Sequence, residues 1–347
     1  MLCLGDDLTW LDWFGPTNNA ECQAAALMAG DSSGMVTVWP VMPKLQGETY
    51  TNNASKTPKF LHGFGFQTVG YYCLPGVSKP RLAVLYEDHF LRVWDLQQDT
   101  VIKTFELSIH AGPNQSNEEE EMEEEEPPKM VLLASPPVHH PQEGLLAAAS
   151  SDGHLIFIPC SQSNIDSSDA VKVPVTHLST HRVRDKTHIE ALDYSSTHSY
   201  LAYGTISGLL GIYDVGNMRL RQEWVCRLHE QIAPVNWDPS RSVGITHLKW
   251  SKRKPVFFTA TLANCVLLWS GLMLSEIAGE SPTPLAVYWG HRNCILDLCL
   301  RPNEQTEEQF ATCSDDVSVK VFPVQTNPEI AATLNSLGQI SSNIVSM

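Results

Sequence analysis

Asp88-His89-Phe90-Leu91-Arg92-Val93-Trp94-Asp95 is an acidic turn followed by a short apolar strand that ends on tryptophan. The arrangement recurs six times. Strand ends at Trp39, Trp94, Ile158, Tyr213, Trp269 and Phe322 each stand six residues after Ser33, Asp88, Asp152, Ser207, Ala263 or Asp316. Consecutive ends lie 53 to 64 residues apart. A repeat of that length with several strands per unit is the sequence signature of a β-propeller.

Outward from each strand end, the units read as up to four strands in one internal order. The first runs through Leu8–Trp13, Ala24–Ala29, Met35–Trp39 and Lys59–Leu61, the second through Thr68–Cys73, Leu82–Tyr86, Phe90–Trp94 and Val101–Phe105. The third has Met130–Ala134, Leu145–Ala149, His154–Ile158 and Val171–Val175; the fourth has Ile189–Tyr194, Tyr200–Gly204, Leu209–Tyr213 and Gln222–Cys226. The fifth has Ile245–Trp250, Val256–Ala260, Val266–Trp269 and Ala286–Trp289. The sixth stops after Ile295–Leu300, Phe310–Cys313 and Ser318–Phe322. Strands rich in Val, Leu, Ile and aromatics, punctuated by Gly, Asp, Asn and Pro and without crossover helices, imply antiparallel sheets. The fold expected is all-β, a propeller with six recognisable blades. Met1–Leu4 could supply the missing outer strand of the sixth unit, or the chain is a seven-bladed ring lacking its first blade.

Composition narrows the partner. The chain has 347 residues, of which 43% are hydrophobic, and a formal charge of −16 from 39 acids and 23 bases. Eight of those acids are the run Glu118–Glu121 and Glu123–Glu126; without them the balance is still −8. Phosphate binding needs basic surface, so nucleic acid is not the expected partner. A basic protein or peptide is the natural complement. Residues 110–129 are expected to be a disordered acidic insertion within a propeller spanning 1–325, and 326–347 a mobile tail. No apolar run approaches the roughly 18 residues of a membrane span, and the acidic start is not expected to be a secretory leader. Nine unpaired-looking cysteines, with no Cys-x-x-Cys, fit a reduced compartment.

Polar sets that lock blades can be sought at the turns. In propellers of the WD type, a His before the inner strand meets a Ser or Thr and an Asp near the turn, and the strand's Trp completes the set. The sixth unit offers Gly290-His291, Ser314 and Asp316, with Phe322 in place of Trp. The second keeps Asp88, Trp94 and Asp95, with Tyr86 where the Ser would be. Trp39, Trp94, Tyr213, Trp269, His291, Ser314 and Phe322 are accordingly expected to be structural.

Catalytic signatures are missing. There is no Gly-x-Ser-x-Gly elbow, phosphate loop or dinucleotide fingerprint, so no enzyme and no cofactor are expected. His139, His140, His177, His181 and His188 lack metal-ligand spacing and are expected to be exposed, and no metal is expected. The candidate binding residues are instead acids at turn positions of one rim: Asp6, Asp7, Asp31, Glu87, Asp88, Asp152, Glu190, Asp315 and Asp316. Asp31, Glu87 and Asp315 look least required by the turns themselves. Trp10, three residues from Trp13 in the first strand, is a candidate aromatic anchor.

Several of these residues also carry a resemblance. Gly5-Asp6-Asp7-Leu8-Thr9-Trp10-Leu11-Asp12-Trp13, Tyr86-Glu87-Asp88 with Leu91 to Leu96, Gly208-Leu209-Leu210-Gly211-Ile212-Tyr213-Asp214, and Gly290-His291 with Ile295-Leu296-Asp297 resemble the angio-associated migratory cell protein family. The likeness covers most of residues 5–323. Family members look longer at the N-terminus, and their acidic segment usually precedes the propeller. The resemblance implies a non-enzymatic WD-repeat protein of the cytoplasm, with the nucleus or cell cortex as further locations, linked to cell migration and angiogenesis. The family's fungal relative is a dedicated chaperone that captures the basic N-terminus of a large-subunit ribosomal protein. Two roles follow as expectations: a chaperone in ribosome biogenesis and, alternatively, a signalling scaffold.

Overall fold

A computed structural model describes residues 7–14, 25–41, 59–61, 63–74, 81–107, 128–137, 140–166, 172–173, 179–228, 242–272, 282–301 and 309–324. The Glu118–Glu126 run, Met1–Leu4 and residues 326–347 lie outside these. So do Asp6, His139 and His177. Two compact units are found, residues 1–133 with 158–178, and residues 134–157 with 179–347.

The first unit contains two complete antiparallel sheets. One has the order β1 (Leu8–Phe14), β2 (Ala25–Asp31), β3 (Val36–Val41), β4 (Lys59–Leu61). The other has β5 (Thr68–Cys73), β6 (Arg81–Tyr86), β7 (Phe90–Asp95) and β8 (Thr100–Glu106). β9 (Met130–Ala134) follows, ending at the boundary of the unit.

The second unit contains β10 (Leu145–Ser150) and the first four residues of β11 (His154–Pro159), whereas the helix α1 (Gln162–Asp166) belongs to the first unit. The third blade departs from the sequence expectation. Val171–Val175 was expected as its outer strand, but β12 (Lys172–Val173) runs parallel to β8. The strand that pairs with β11 is β13 (Ser179–Arg182), opposite residues 154–157. Its Ser-Thr-His-Arg sequence carries no apolar alternation, which is why the apolar Val171–Val175 drew the assignment.

Three further sheets follow in the second unit. They are β14 (Ile189–Tyr194), β15 (Tyr200–Thr205), β16 (Leu209–Asp214) and β17 (Arg219–Val225); then β18 (Ile245–Trp250), β19 (Val256–Thr261), β20 (Cys265–Ser270) and β21 (Ala286–Trp289). Last come β22 (Ile295–Leu300), β23 (Gln309–Ser314) and β24 (Ser318–Pro323), with no fourth strand among the described residues. The fold is thus all-β, with six propeller blades in sequence order.

Central strands are buried from end to end, as in β6, β16, β19 and β20. A strand covered on both faces needs a continuous apolar run rather than alternation, and Val-Phe-Phe-Thr-Ala-Thr in β19 is such a run. Aromatics fill the space between successive sheets of the second unit. Trp224 of β17 lies 5.6 Å from Trp269 of β20, and Phe257 beside them lies 5.0 Å from Trp250, its partner within the fifth sheet. In the first unit the core gathers Met28, Val36, Leu61, Leu82, Val84, Tyr86 and Trp94. Burying each such side chain contributes roughly 1.5–3 kcal/mol.

Two backbone devices repeat and set the geometry of the turns. The inner strands β1, β5, β14, β18 and β22 each shift register after their first residue, which leaves Thr9, Val69, Glu190, Thr246 and Leu296 as bulged residues. Such bulges re-aim side chains at a sheet's end. In all six blades, the residue after the turn position has a positive φ: Gly34, His89, Gly153, Gly208, Asn264 and Val317.

Candidate partner-binding surface

The sixth blade shows what its turn is built to do. The His291 ring is held from both sides, Nδ1 3.0 Å from Asp316 Oδ2 and Nε2 2.7 Å from Thr312 Oγ1. A carboxylate can only accept, so Nδ1 carries the proton and a neutral ring accepts the Thr312 hydroxyl at Nε2. Asp316 also accepts the backbone N–H groups of Arg292 at 2.9 Å and Ser318 at 3.0 Å, and the Ser318 hydroxyl at 2.5 Å. The Ser318 hydroxyl and the Arg292 N–H, ahead of His291, hold its carboxyl far below the usual range. Thr312, not Ser314, is the hydroxyl that meets the histidine. Ser314 instead donates to Asn293 O at 3.0 Å and accepts the Asp316 N–H. Hydroxyl, imidazole and carboxylate stand in the order of a hydrolase triad, yet Thr312 is 2% exposed and has no open side for a substrate.

The same positions in the fifth blade hold Thr259 and Trp269, whose indole N–H donates to Thr259 Oγ1 at 2.9 Å. Phe322 replaces that indole in the sixth blade and stacks on Phe310 at 5.1 Å instead. In the fourth blade the polar pair is exchanged. Asp185 stands four residues before β14, as His291 stands four before β22, and it accepts the Ser207 and Thr205 hydroxyls. Burial pushes the Asp185 carboxyl up, but the bonds from Ser207 and Thr187 outweigh it and hold the group low. Tyr203 takes the place of Thr259 and crosses Gly211 to reach Glu223. A Cβ on Gly211 would stand 2.1 Å from Tyr203 Cζ, so only glycine lets the ring pass. Tyr213 stacks on Phe157 at 4.8 Å.

Several acids expected to face a partner are consumed by their own blades. Asp31 is 1% exposed and is corrected to a turn residue. Its Oδ1 accepts the Ser33 N–H at 3.0 Å, the Ser33 hydroxyl at 2.8 Å and the Met35 N–H at 2.9 Å. It occupies the position where Ser150 and Thr205 accept the N–H four residues on. Asp88 is likewise enclosed, its side chain 7% exposed, and its carboxylate takes both Arg92 nitrogens at 3.0 and 2.5 Å. Asp152 accepts the Ser150 hydroxyl at 2.5 Å and lies 2.8 Å from His154 and 3.5 Å from Arg182. Burial raises its pKa, but His154 and Ser150 together carry it below the usual range.

Other candidates stay at the surface. Asp7 and Asp315 are exposed, and Glu87 is partly exposed beside Lys129 at 2.9 Å. Glu190, on the bulge of β14, stands 3.5 Å from His188. Trp10 is no free anchor: its ring stacks on Tyr71 at 4.5 Å and packs on the buried cluster of the first unit. Trp39 is half-buried at the end of β3, opposite Leu27. His140 corrects the expectation of exposed histidines, being buried with the Gln142 N–H on Nδ1 and Nε2 on His198 O. Burial lowers its pKa. His181 is enclosed too, 5.2 Å from the Tyr213 ring.

Sequence reasoning passed over Arg92, whose guanidinium sits 4.0 Å from the Phe64 ring centre and 4.7 Å from that of Tyr86. The alignment of units held the signal. Gly63-Phe64 stands where Gly290-His291 stands, so Asp88 has lost its histidine and takes another side-chain donor. No group of three or more His, Cys, Asp or Glu fit to hold a metal occurs among the described residues. None of their helices is long and apolar enough to cross a membrane.

Turn sets, bulged inner strands and six blades define a WD-type propeller. No family model matches the chain. It is similar to the angio-associated migratory cell proteins of Canis lupus familiaris and Homo sapiens, 25% identical over 336 and 335 residues and 92% of this chain. The chain spans 59% of the length of those curated relatives. Among solved structures, Sqt1 of Saccharomyces cerevisiae has a TM-score of 0.61 at 18% identity, over 92% of this chain and 72% of that one. The resemblance read from the sequence is therefore found by comparison, and the likeness to Sqt1 shows the fold.

Proposed function

We propose that this propeller binds a basic protein segment, as a ribosomal-protein chaperone or ribosome-assembly factor, and does no chemistry. The observation that carries this reading is the division among its turn acids. Asp31, Asp88, Asp152 and Asp316 are held by their own blades, whereas Asp315 and Glu190 remain outward with no Lys or Arg within ion-pair distance among the described residues. Carboxylates that no turn requires make a field that steers Lys- and Arg-rich segments. The excess of acids over bases and the resemblance to a family with a fungal chaperone relative support the same reading.

Titration of the whole chain with basic N-terminal peptides of large-subunit ribosomal proteins, over a salt series, tests it. Binding should weaken as salt rises and drop several-fold on charge reversal at Glu190 and Asp315. Asp31 is unsuitable for reversal, because a lysine there would break the turn. Absence of binding at low salt refutes the proposal. The relatives' name favours a second reading, a scaffold in cell migration. Proximity labelling that returns cortical regulators rather than ribosome-assembly factors would favour it.

A further inference from the structure

The bulges and turns that place acids on the rim also place exposed aliphatic side chains there in one stretch of the second unit. The residue before each turn position is Ser32, Glu87, Ser151, Ile206, Leu262 or Asp315. Turn geometry asks nothing apolar of it. Its N–H is what the blade uses: Ser32, Glu87, Ile206, Leu262 and Asp315 all donate to the residue preceding the inner strand. Ile206 and Leu262 are nevertheless aliphatic and exposed, at 39% and 48%. Leu296, the bulged residue of β22, is 49% exposed where β14 has Glu190 and β18 has Thr246.

These side chains belong to one strip. A Cβ on Gly244 would stand 2.3 Å from the backbone Ile206 O and 2.7 Å from Leu262 Cδ1, so the Ile206 turn and the Leu262 side chain meet at a bare glycine. Thr246, two residues on, donates to Ile295 O at 3.3 Å and brings the β22 bulge with Leu296 alongside. The strip is edged by acids. Ile206 N donates to His188 O, and His188 contacts Glu190. Asp297 follows Leu296 with its side chain 64% exposed, and Asp315 donates its N–H to Cys294 O beside the same bulge. Arg184, Lys186 and Arg292 are the exposed bases in the adjoining loops, and Arg184 is directed to Glu223 at 4.0 Å.

Large aliphatic residues exposed at turn and bulge positions and rimmed by charge mark a contact surface rather than a packing need. We propose that Ile206, Leu262 and Leu296 seat an aliphatic side chain of the bound peptide, with its flanking Lys or Arg residues held by Glu190, Asp297 and Asp315. The preferred segment is then a basic one interrupted by Leu, Ile or Val, not a plain run of bases. This rests on the proposed function and specifies its ligand.

Two peptides separate the two claims: a Lys/Arg-rich peptide with one central leucine, and the same peptide with serine there. Calorimetric titration of the full chain should show the leucine peptide binding at least tenfold more tightly. The variant Ile206→Ser/Leu262→Ser should abolish that preference, so that the two peptides bind it with equal affinity. Glu190→Lys should weaken both peptides alike. Ile206 and Leu262 are exposed and Glu190 is half-exposed, and thermal unfolding of each variant verifies that the fold persists. Equal affinity for the two peptides, or a preference that survives the double substitution, overturns the aliphatic seat while leaving basic-segment binding intact. Failure of both peptides to bind at low salt overturns the functional reading as well.

Discussion

The second and sixth blades carry the same turn acid and neutralise it by different routes. Asp316 is met by His291, which arrives from the loop before the inner strand and is backed by Thr312. Asp88 is met by Arg92, four residues on along its own strand, under the Phe64 ring. Where the sixth blade has Thr312 the second has Val84, and where it has His291 the second has Phe64. The counterpart of Arg92 is Lys320, whose Nζ donates to Gly290 O rather than to the acid. The shared requirement is thus a satisfied carboxylate at the turn, and the side-chain donor that satisfies it is interchangeable.

The largest effect should come from removing the cation in the second blade. Arg92→Met leaves the Asp88 carboxylate enclosed without its guanidinium, with the Phe90 N–H as its remaining donor, and strips the cation from Phe64 and Tyr86. Breaking a buried ion pair from one side costs about 3–5 kcal/mol. Urea unfolding followed by hydrogen exchange in β6 and β7 should show a loss of that order in the first unit. A loss below about 1 kcal/mol would mean the pair behaves as an exposed one.

The sixth blade can be asked to adopt the other solution. His291→Phe removes the bonds to Asp316 and Thr312 and should cost about 2–4 kcal/mol, since one of them involves a charged group. His291→Phe/Lys320→Arg places a phenylalanine and an arginine where Phe64 and Arg92 stand in the second blade. If the two routes are equivalent, the double variant recovers part of the loss, measured as the denaturant midpoint of the second unit. Additive losses in the double variant would show that each route depends on residues outside the turn.

How much of this was readable differs between levels of the molecule. Strand positions were legible because short apolar runs between turn residues can pair in few ways; Thr68–Cys73, Ile189–Tyr194 and Ile245–Trp250 are found as read. β13 was not, because Ser-Thr-His-Arg is an edge strand without an apolar face. At the surface, the offset that located Asp88, Asp152 and Asp316 could not say whether each carboxylate faced solvent. That depends on cations from elsewhere in the fold, such as Arg182 for Asp152, thirty residues away. Asp31 was misjudged because a carboxylate and a hydroxyl can fill one turn position equally well. The aliphatic rim escaped because an isolated Ile or Leu in a turn has no periodicity to mark it.

The residue after the turn gives the finest contrast between blades, and the smallest effect. Gly208 is held at φ 93°, and a Cβ there would stand 2.7 Å from Val243 O, so glycine is required on two counts. Val317 takes the same backbone conformation at φ 61° with its side chain 97% exposed. Nothing crowds it, so its cost is local: a left-handed conformation costs an L-residue roughly 1–2 kcal/mol, and a β-branched one is a clear outlier there. Val317→Gly removes that cost. Glycine also loses about 0.5–1 kcal/mol more backbone freedom on folding, which offsets part of the gain. The balance favours glycine by about 0.5–1 kcal/mol, and Val317→Asn, which copies Asn264 of the fifth blade, should fall between the two. Thermal midpoints should rank Gly above Asn above Val. A lower midpoint for Val317→Gly would show that the valine side chain makes a stabilising contact that its exposure gives no sign of.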